Sequence, residues 1–315
     1  MTQISSGFHR VSAALQLCVL LVGLGVLVSL GQVRAQAQRA PQTLKVLFIG
    51  NSYTFYNNLG AIVAGISRSK KDGPVIEPTI ATANGKDLAW HLANGPAMPT
   101  LEKGGWNFVN LQDLSLLPGG SMVEGKPVVG DPAKPGGFYD SAREWVKRIR
   151  ATGATPLLEM TWARRDNPGT MQQDLAKAYN TLGNELGVKV VPAGLAWDEA
   201  KWRLRTLVYY YHDGSHPSEA GSYLTAAVMY ATITGRDPRG AANVIMGHPV
   251  RTDSVGVGVV DMEKMVPLVD LPPATAAELQ KIAWDTVSAA AKSASAPTAS
   301  LPGISPANAR ASAGR

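Results

Sequence analysis

Short apolar runs alternate with segments of helical periodicity along most of this chain. The runs predict buried strands at residues 46–49, 75–82, 107–111, 156–161 and 188–191. Apolar residues spaced three and four apart predict helices over 59–69, after 86, and over 141–152, 170–186 and 217–234. This alternation is typical of a parallel sheet whose strands are joined by crossover helices. The pattern therefore predicts an α/β fold with a mostly parallel, five-stranded sheet.

Residues 1–36 have the pattern of a secretory signal peptide. Arg10 precedes an apolar, uncharged run over 11–30, and small residues form Ala-x-Ala-type cleavage sites near Ala35 to Ala37. The run is also close to the length that spans a bilayer, so an uncleaved membrane anchor is the alternative. We expect cleavage, a secreted or periplasmic protein and no stable membrane insertion afterwards, because a polar segment follows the cleavage sites at once.

Three further parts follow the signal peptide. Residues 37–235 hold the predicted sheet, and residues 236–290 form an appendage packed on it, with a last helix over 274–290 and no readable role. The Gly- and Pro-rich stretch 115–138 is a long connection of a kind that is often functional. Residues 291–315 are rich in Ala, Ser and Pro and have almost no large apolar side chain, which predicts a disordered tail.

The charge and cysteine content of the chain exclude several classes of function. The formal net charge is +6, and loss of Arg10 and Arg34 with the signal peptide lowers it to +4. The sequence has no basic stripe with interleaved aromatic residues, so a nucleic-acid partner is not expected. The one cysteine, Cys18, lies in the signal peptide, which excludes disulfides, cysteine catalysis and zinc–cysteine sites from the mature chain. The oligomeric state is not readable from the sequence.

Two short polar blocks carry the candidate chemistry. Gly50-Asn-Ser52-Tyr-Thr54 follows the first strand, which places Ser52 at the carboxyl edge of the sheet, where open α/β folds bind their ligands. Asp213-Gly-Ser-His216-Pro precedes the last helix of the sheet domain. A serine nucleophile needs a base and the base needs an orienting acid, and the spacing of Asp213 and His216 lets the two meet in one turn.

Plainer interpretations of these residues remain open. Ser52 can be an ordinary strand-to-loop serine, Asp213 a helix cap or Asx-turn, and His216 a surface histidine. His212 is the rival base. A metal site made of His212, Asp213 and His216 is a further alternative, although no other cluster of histidines or carboxylates completes a ligand set. We expect no metal and no cofactor.

The two blocks resemble the nucleophile block and the Asp-x-x-His block of the SGNH (GDSL-type) hydrolases, and the resemblance covers residues 44–235. It implies that residues 37–235 form an SGNH hydrolase domain, a flavodoxin-like, three-layer α/β/α sandwich. It also implies that Ser52 attacks an ester, that His216 is its base and that Asp213 is the acid of the triad.

The resemblance further implies an oxyanion hole. Its expected donors are the Ser52 N–H, the Gly85 N–H and the Gln112 side chain. Gln112 is a departure from the family, which has a Gly-x-Asn pattern after the third strand, and Asn110 is the fallback donor. The alternative for Gly85 is a plain Asn-Gly turn.

Two residues are assigned to substrate binding. Asn51 stands where the family has an aspartate, and its amide can instead brace the nucleophile turn. Trp162 follows the fourth strand at the ligand edge of the sheet, where it can serve as a platform for a sugar ring. The alternative for Trp162 is a packed tryptophan.

These observations predict a secreted serine esterase that works through an acyl-Ser52 intermediate. The expected substrate is a small-molecule or polysaccharide ester, with O-acetyl groups on carbohydrate favoured. A lipase, lysophospholipase or thioesterase of the same fold is the first alternative. An inactive carbohydrate-binding or cell-surface module is the second, because the Gly-x-Asn pattern is missing.

Overall fold

The computed structural model describes residues 42–123, 126–128, 130–167 and 169–295. The predicted signal peptide at 1–36 and residues 296–315 of the predicted tail lie outside the described residues. No helix in the described part of the chain combines the length and apolar content that crossing a bilayer requires.

Strands and helices alternate through the first part of the chain, and short strands and one long helix follow. The strands are β1 (Thr43–Gly50), β2 (Val75–Thr82), β3 (Phe108–Leu111), β4 (Ser121–Val123), β5 (Lys126–Val128), β6 (Thr155–Glu159), β7 (Lys189–Val191), β8 (Val244–Gly247), β9 (Val250–Thr252), β10 (Gly258–Val260) and β11 (Val266–Asp270). The helices are α1 (Ser52–Phe55), α2 (Leu59–Ser69), α3 (Leu88–Ala93), α4 (Ala97–Glu102), α5 (Leu116–Gly119), α6 (Phe138–Ala151), α7 (Met171–Leu186), α8 (Ala193–Arg203), α9 (Glu219–Thr234) and α10 (Pro273–Ser295), with a 3-10 turn at Tyr56–Asn58.

The central sheet is parallel and has the strand order β2-β1-β3-β6-β7. Successive side chains of a strand point to opposite faces, and β1 shows this directly. Val46 and Phe48 pack with α2, α8 and α9, whereas Leu47 and Ile49 pack with α6 and α7 on the other face. The predicted three-layer α/β/α sandwich is confirmed, and β1 lies between the two helical layers.

Local signals in the sequence set several helix ends. The Asp87 side chain caps α3 by accepting from the Trp90 N–H at 2.7 Å, and Ser218 caps α9 by accepting from the Gly221 N–H at 3.2 Å. Gly235 ends α9 with a positive φ of 66°, a conformation that favours glycine. The predicted helices at 59–69, 170–186 and 217–234 therefore start and stop within two residues of α2, α7 and α9.

The appendage is more structured than its sequence suggested. β8 and β11 pair antiparallel, and β9 and β10 form a second antiparallel pair. β8 packs on α2 so closely that a Cβ on Gly65 would lie 2.4 Å from the Ile245 side chain. α10 packs on α8 and α9 and continues to Ser295, so the prediction that disorder begins at 291 is wrong for residues 291–295.

Candidate active site

A tight turn at the end of β1 presents Ser52. β1 stops at Gly50, Asn51 is the N-cap of α1, and Ser52 is the first residue of that helix. A Cβ on Gly50 would lie 2.5 Å from Gln112 Oε1 and 2.5 Å from Thr54 Oγ1, so only glycine fits there without displacing a neighbour. The Ser52 side chain is at the carboxyl edge of the central sheet, as predicted, with 5% of the residue exposed.

The Asp213–His216 segment folds into one turn. Asp213 Oδ1 accepts from the Ser215 N–H at 2.8 Å and from the His216 N–H at 3.0 Å. Gly214 has a positive φ of 69°, which allows the chain to reverse. The carboxylate therefore faces its own histidine, and Asp213 Oδ2 lies 2.5 Å from His216 Nδ1.

The fold brings this turn to the nucleophile. His216 Nε2 lies 2.8 Å from Ser52 Oγ, although the two residues are 164 positions apart in the chain. Ser52, His216 and Asp213 thus form a continuous hydrogen-bonded chain with the donor and acceptor order that nucleophilic catalysis by serine requires.

Hydrogen bonds keep the Asp213 carboxylate ionised. Desolvation pushes the pKa of Asp213 upward, but the hydrogen bonds from the His216 side chain and from the Ser215 and His216 N–H groups outweigh it. The net effect lowers the pKa of Asp213 to about 2. A carboxylate that stays charged can fix the orientation of the imidazole and stabilise its protonated form.

Comparison with solved structures supports the fold. A DUF4886 family protein from Bacteroides uniformis is 17% identical over 78% of this chain and 95% of its own, with a TM-score of 0.55. A candidate SGNH hydrolase from Slackia heliotrinireducens (23% identity, 61% of this chain, 100% of its own, TM-score 0.47) is also similar. So is a variant of an acetyl-xylooligosaccharide esterase from Geobacillus stearmophilus (15% identity, 62% of this chain, 96% of its own, TM-score 0.44).

The chain shares its α/β fold with the DUF4886 family protein. At these identities the similarity shows the fold and leaves the activity to be argued from the site. No protein-family model matches the sequence, and no curated protein matches it at a significant level.

Aromatic rings surround the histidine of this candidate site. The Tyr56 ring stacks on the His216 imidazole, with ring centroids 4.2 Å apart and 16° between the planes. Tyr53 meets the same imidazole edge-on at 5.7 Å, and its hydroxyl lies 2.6 Å from Ser215 Oγ. Tyr211, 40% exposed, packs its edge on Tyr56 at 5.3 Å. This group was not predicted from the sequence, although Tyr53 and Tyr56 follow Ser52 by one and four positions.

Two asparagines hold the Tyr56 turn in place. Asn57 and Asn58 both have positive φ values, 53° and 51°, which are uncommon outside glycine. Asn57 Nδ2 donates to the Pro217 carbonyl at 3.1 Å and to Ser222 Oγ at 3.0 Å. Asn58 Nδ2 donates to the His248 carbonyl in the appendage at 2.8 Å. These bonds tie the nucleophile segment to the histidine segment and to the appendage.

The prediction that Gln112 donates to the oxyanion is wrong in this structure. Gln112 Oε1 accepts from the Asn51 N–H at 3.0 Å and from Thr54 Oγ1 at 2.9 Å, and its Nε2 donates to the Asp113 carbonyl at 2.5 Å. Gln112 is only 1% exposed. Its side-chain oxygen therefore braces the nucleophile turn, and its side-chain nitrogen is bonded to the Asp113 carbonyl inside the protein.

The assignment of Asn51 to substrate binding is also corrected. Asn51 Oδ1 accepts from the Tyr53 N–H at 3.1 Å, and Nδ2 donates to the Lys86 carbonyl at 3.1 Å. Both polar atoms of the buried amide are occupied by the protein, so Asn51 takes the alternative role of bracing the turn. The fallback donor Asn110 is buried inside β3, where its side chain donates to Glu159 Oε2 at 2.5 Å.

Trp162 is not a substrate platform. Its ring has 0% exposure and stacks between Tyr53, at 4.7 Å, and Trp197, at 4.0 Å. Its Nε1 donates to the Ser215 carbonyl at 3.0 Å. Trp162 is therefore a packed tryptophan, and its hydrogen bond to the Ser215 carbonyl supports the Asp213–His216 turn.

The remaining sequence candidates fall into two groups. Gly85 lies on an exposed turn beside the nucleophile segment and has a positive φ of 63°, so its role as an oxyanion donor stays a prediction. The His212 side chain is exposed, and His216 rather than His212 reaches Ser52. Among the residues that the structure describes, no group of three His, Cys, Asp or Glu side chains is arranged to hold a metal ion.

Two carboxyl groups lie buried beneath the site. Burial raises the pKa of Asp113 and that of Glu159 to about 7. Asp113 Oδ1 accepts from the Leu88 N–H at 3.1 Å and from the Leu114 N–H at 2.8 Å, and Glu159 accepts only from Asn110 within the described residues. Neither carboxyl reaches Ser52 or His216, so both are part of the support of the sheet edge.

Proposed function

We propose that this chain is a serine esterase that hydrolyses ester bonds through an acyl-Ser52 intermediate. The observation that carries the proposal is the hydrogen-bonded chain from Ser52 Oγ to His216 Nε2, at 2.8 Å, and from His216 Nδ1 to Asp213 Oδ2, at 2.5 Å. A histidine that merely packs in the core or lies at the surface does not explain this arrangement. His216 contacts both a buried serine and a carboxylate that is held by two backbone N–H groups.

The proposed reaction runs in two halves. His216 Nε2 takes the proton of Ser52 Oγ as that oxygen attacks the ester carbonyl, and the protonated imidazole then gives the proton to the departing alcohol. Water, deprotonated by His216, attacks the acyl-Ser52 ester and releases the acid. Asp213 holds the imidazole throughout, and the N–H groups of Ser52 and Gly85 are the proposed donors to the oxyanion.

The proposed substrates are O-acetyl esters on carbohydrate, met outside the cytoplasm. Export is supported by the signal-peptide pattern of residues 1–36. A carbohydrate is supported by Tyr56 and Tyr211, because Tyr211 leaves aromatic surface exposed beside the histidine and sugar rings pack on aromatic faces.

Hydrolysis of p-nitrophenyl acetate by residues 38–315 tests the reaction. Ser52→Ala and His216→Ala are each expected to lower kcat/KM by about 10³-fold or more. His212→Ala is the matched control, and it should stay within about threefold of wild type because its side chain does not reach Ser52. A large loss in His212→Ala with an active His216→Ala would make His212 the base.

Chain-length selectivity separates the substrate classes. Acetylated xylose or glucose is expected to be a better substrate than esters of eight or more carbons, whereas the reverse order would identify a lipase or thioesterase. The engaged Gln112 amide leaves this site with fewer side-chain donors than expected, which favours an inactive carbohydrate-binding module as the second candidate. Sugar affinity without turnover would support that module.

A further inference from the structure

The appendage bonds directly to the turn that carries Gly85. The Asn84 N–H donates to the Gly256 carbonyl at 2.8 Å, and Ala83 forms an antiparallel bridge with Val257. The Gly85 N–H comes directly after these contacts in the chain and makes no hydrogen bond with the described part of the protein. Residues 83–86, here called the Gly85 turn, are thus paired to a segment more than 160 positions away in the sequence.

That segment is the tip of the β9–β10 hairpin, which its own hydrogen bonds make rigid. Asp253 Oδ1 accepts from the Val255 N–H at 3.0 Å and from the Val257 N–H at 2.8 Å. The Asp253 N–H donates to the Val257 carbonyl at 2.9 Å. Because one carboxylate orders most of the tip, the position of the Gly256 carbonyl depends on Asp253.

The hairpin is also packed against the nucleophile side of the sheet. A Cβ on Gly258 would lie 2.3 Å from Thr82 Oγ1 and 3.6 Å from the Phe55 ring. At the other end of the Gly85 turn, Asn51 Nδ2 donates to the Lys86 carbonyl at 3.1 Å. The turn is therefore held from two directions, by the residue before the nucleophile and by the hairpin.

We infer that the β9–β10 hairpin positions the Gly85 N–H for the oxyanion of the reaction. Asp253 acts through the hairpin tip and does not touch substrate, so it is a positioning residue. The inference rests on the proposed esterase function and gives the appendage a role in that function. A donor that must meet a developing charge loses much of its effect when it shifts by about 1 Å.

The test compares Asp253→Ala with wild type in the chain of residues 38–315. With p-nitrophenyl acetate, kcat is expected to fall about 10- to 100-fold while KM changes less than about threefold. The Ki of phenylboronic acid, whose tetrahedral adduct with a serine resembles the oxyanion intermediate, should rise by a similar factor. Asp253→Asn, which keeps one side-chain acceptor oxygen, should recover most of the rate.

A matched control lies at the other end of the hairpin. Asp261 Oδ1 accepts from the Glu263 N–H at 3.3 Å and makes no contact with the Gly85 turn, so Asp261→Ala should keep wild-type kcat. An equal loss in both variants, an unchanged Ki, or a rise in KM alone would overturn the positioning role. Unchanged kcat in a folded Asp253→Ala would overturn it as well.

The outcome also distinguishes this inference from the proposed function. If wild type is active and Ser52→Ala is not, the esterase proposal holds, and Asp253→Ala alone decides the role of the hairpin. If wild type hydrolyses no ester, both fall together.

Discussion

The Tyr56 ring lies flat on the His216 imidazole, with centroids 4.2 Å apart. The contact covers one face of the ring that, in the proposed mechanism, carries protons between Ser52 and substrate. Tyr56 is itself held by the neighbouring Asn57, whose side chain bonds to the segment that follows His216. One turn after the nucleophile therefore fixes both the position and the plane of the base.

Two substitutions of Tyr56 distinguish the contribution of its aromatic ring from that of its hydroxyl. Tyr56→Leu is expected to lower kcat about 3- to 10-fold, because an aromatic pair of this geometry is worth about 0.5–1.5 kcal/mol. Tyr56→Phe should keep nearly all of the rate. Steady-state kinetics on p-nitrophenyl acetate measure the effect, with Tyr139→Leu, a half-buried tyrosine on α6, as the control. Equal losses in the Leu and Phe variants would contradict a role for stacking.

Trp162 is expected to matter for stability. Trp162→Ala removes a fully buried ring from between Tyr53 and Trp197 and should lower the free energy of unfolding by about 3–5 kcal/mol. Urea denaturation measures this loss. Trp202→Ala, which removes a largely exposed tryptophan, is the control and should change the free energy of unfolding by less than about 1 kcal/mol. A stable Trp162→Ala protein with a raised KM for acetylated sugars would instead restore the platform interpretation.

Glu159 is expected to make stability depend on pH. Burial raises its pKa from an ordinary value of 4.5 to about 7. Between these values the folded chain keeps a proton that the unfolded chain releases, so the free energy of unfolding falls as pH rises from 4.5 to 7 and then levels off. Glu159→Gln removes this pH-dependent contribution to the free energy of unfolding. The variant should therefore be more stable than wild type at pH 8, and the difference in stability should shrink toward pH 4.5.

Guanidinium unfolding of wild type and Glu159→Gln at pH 5, 6, 7 and 8 measures the difference. Glu144→Gln changes a half-buried glutamate on α6 whose carboxylate pairs with Arg148, and it should show no such trend. The same pH dependence in wild type and Glu159→Gln would show that this carboxyl is ionised in the folded chain.

Short-range sequence features explain which helices and site residues were predicted correctly. Ser52 after a buried strand and the three-residue spacing of Asp213 and His216 are short-range features, and the structure brings all three side chains together. The helices α2, α7 and α9 were predicted because each is long and begins or ends at a clear signal. α8 was missed because its buried positions include small residues at Ala193, Gly194 and Ala196, which leave no distinct apolar stripe.

Long-range contacts explain the errors. Gln112 was assigned as a donor from its place after β3, but its direction is decided by Asn51, 61 positions earlier. Trp162 was placed correctly at the edge of the sheet, yet its burial depends on Tyr53 and Trp197, which come from different parts of the chain. The hairpin contact with the Gly85 turn leaves no pattern in either segment that a single sequence reveals.

The 164-residue separation of Ser52 and His216 has a consequence for the timing of activity during biosynthesis. The ribosome completes the nucleophile segment long before it reaches the base, and the β9–β10 hairpin comes later still. A nascent or truncated chain that ends before His216 holds a serine with no partner, which is a weak nucleophile. In the proposed mechanism an incomplete chain therefore has no activated serine, and ester hydrolysis begins only when the segments that carry Ser52 and His216 have folded together.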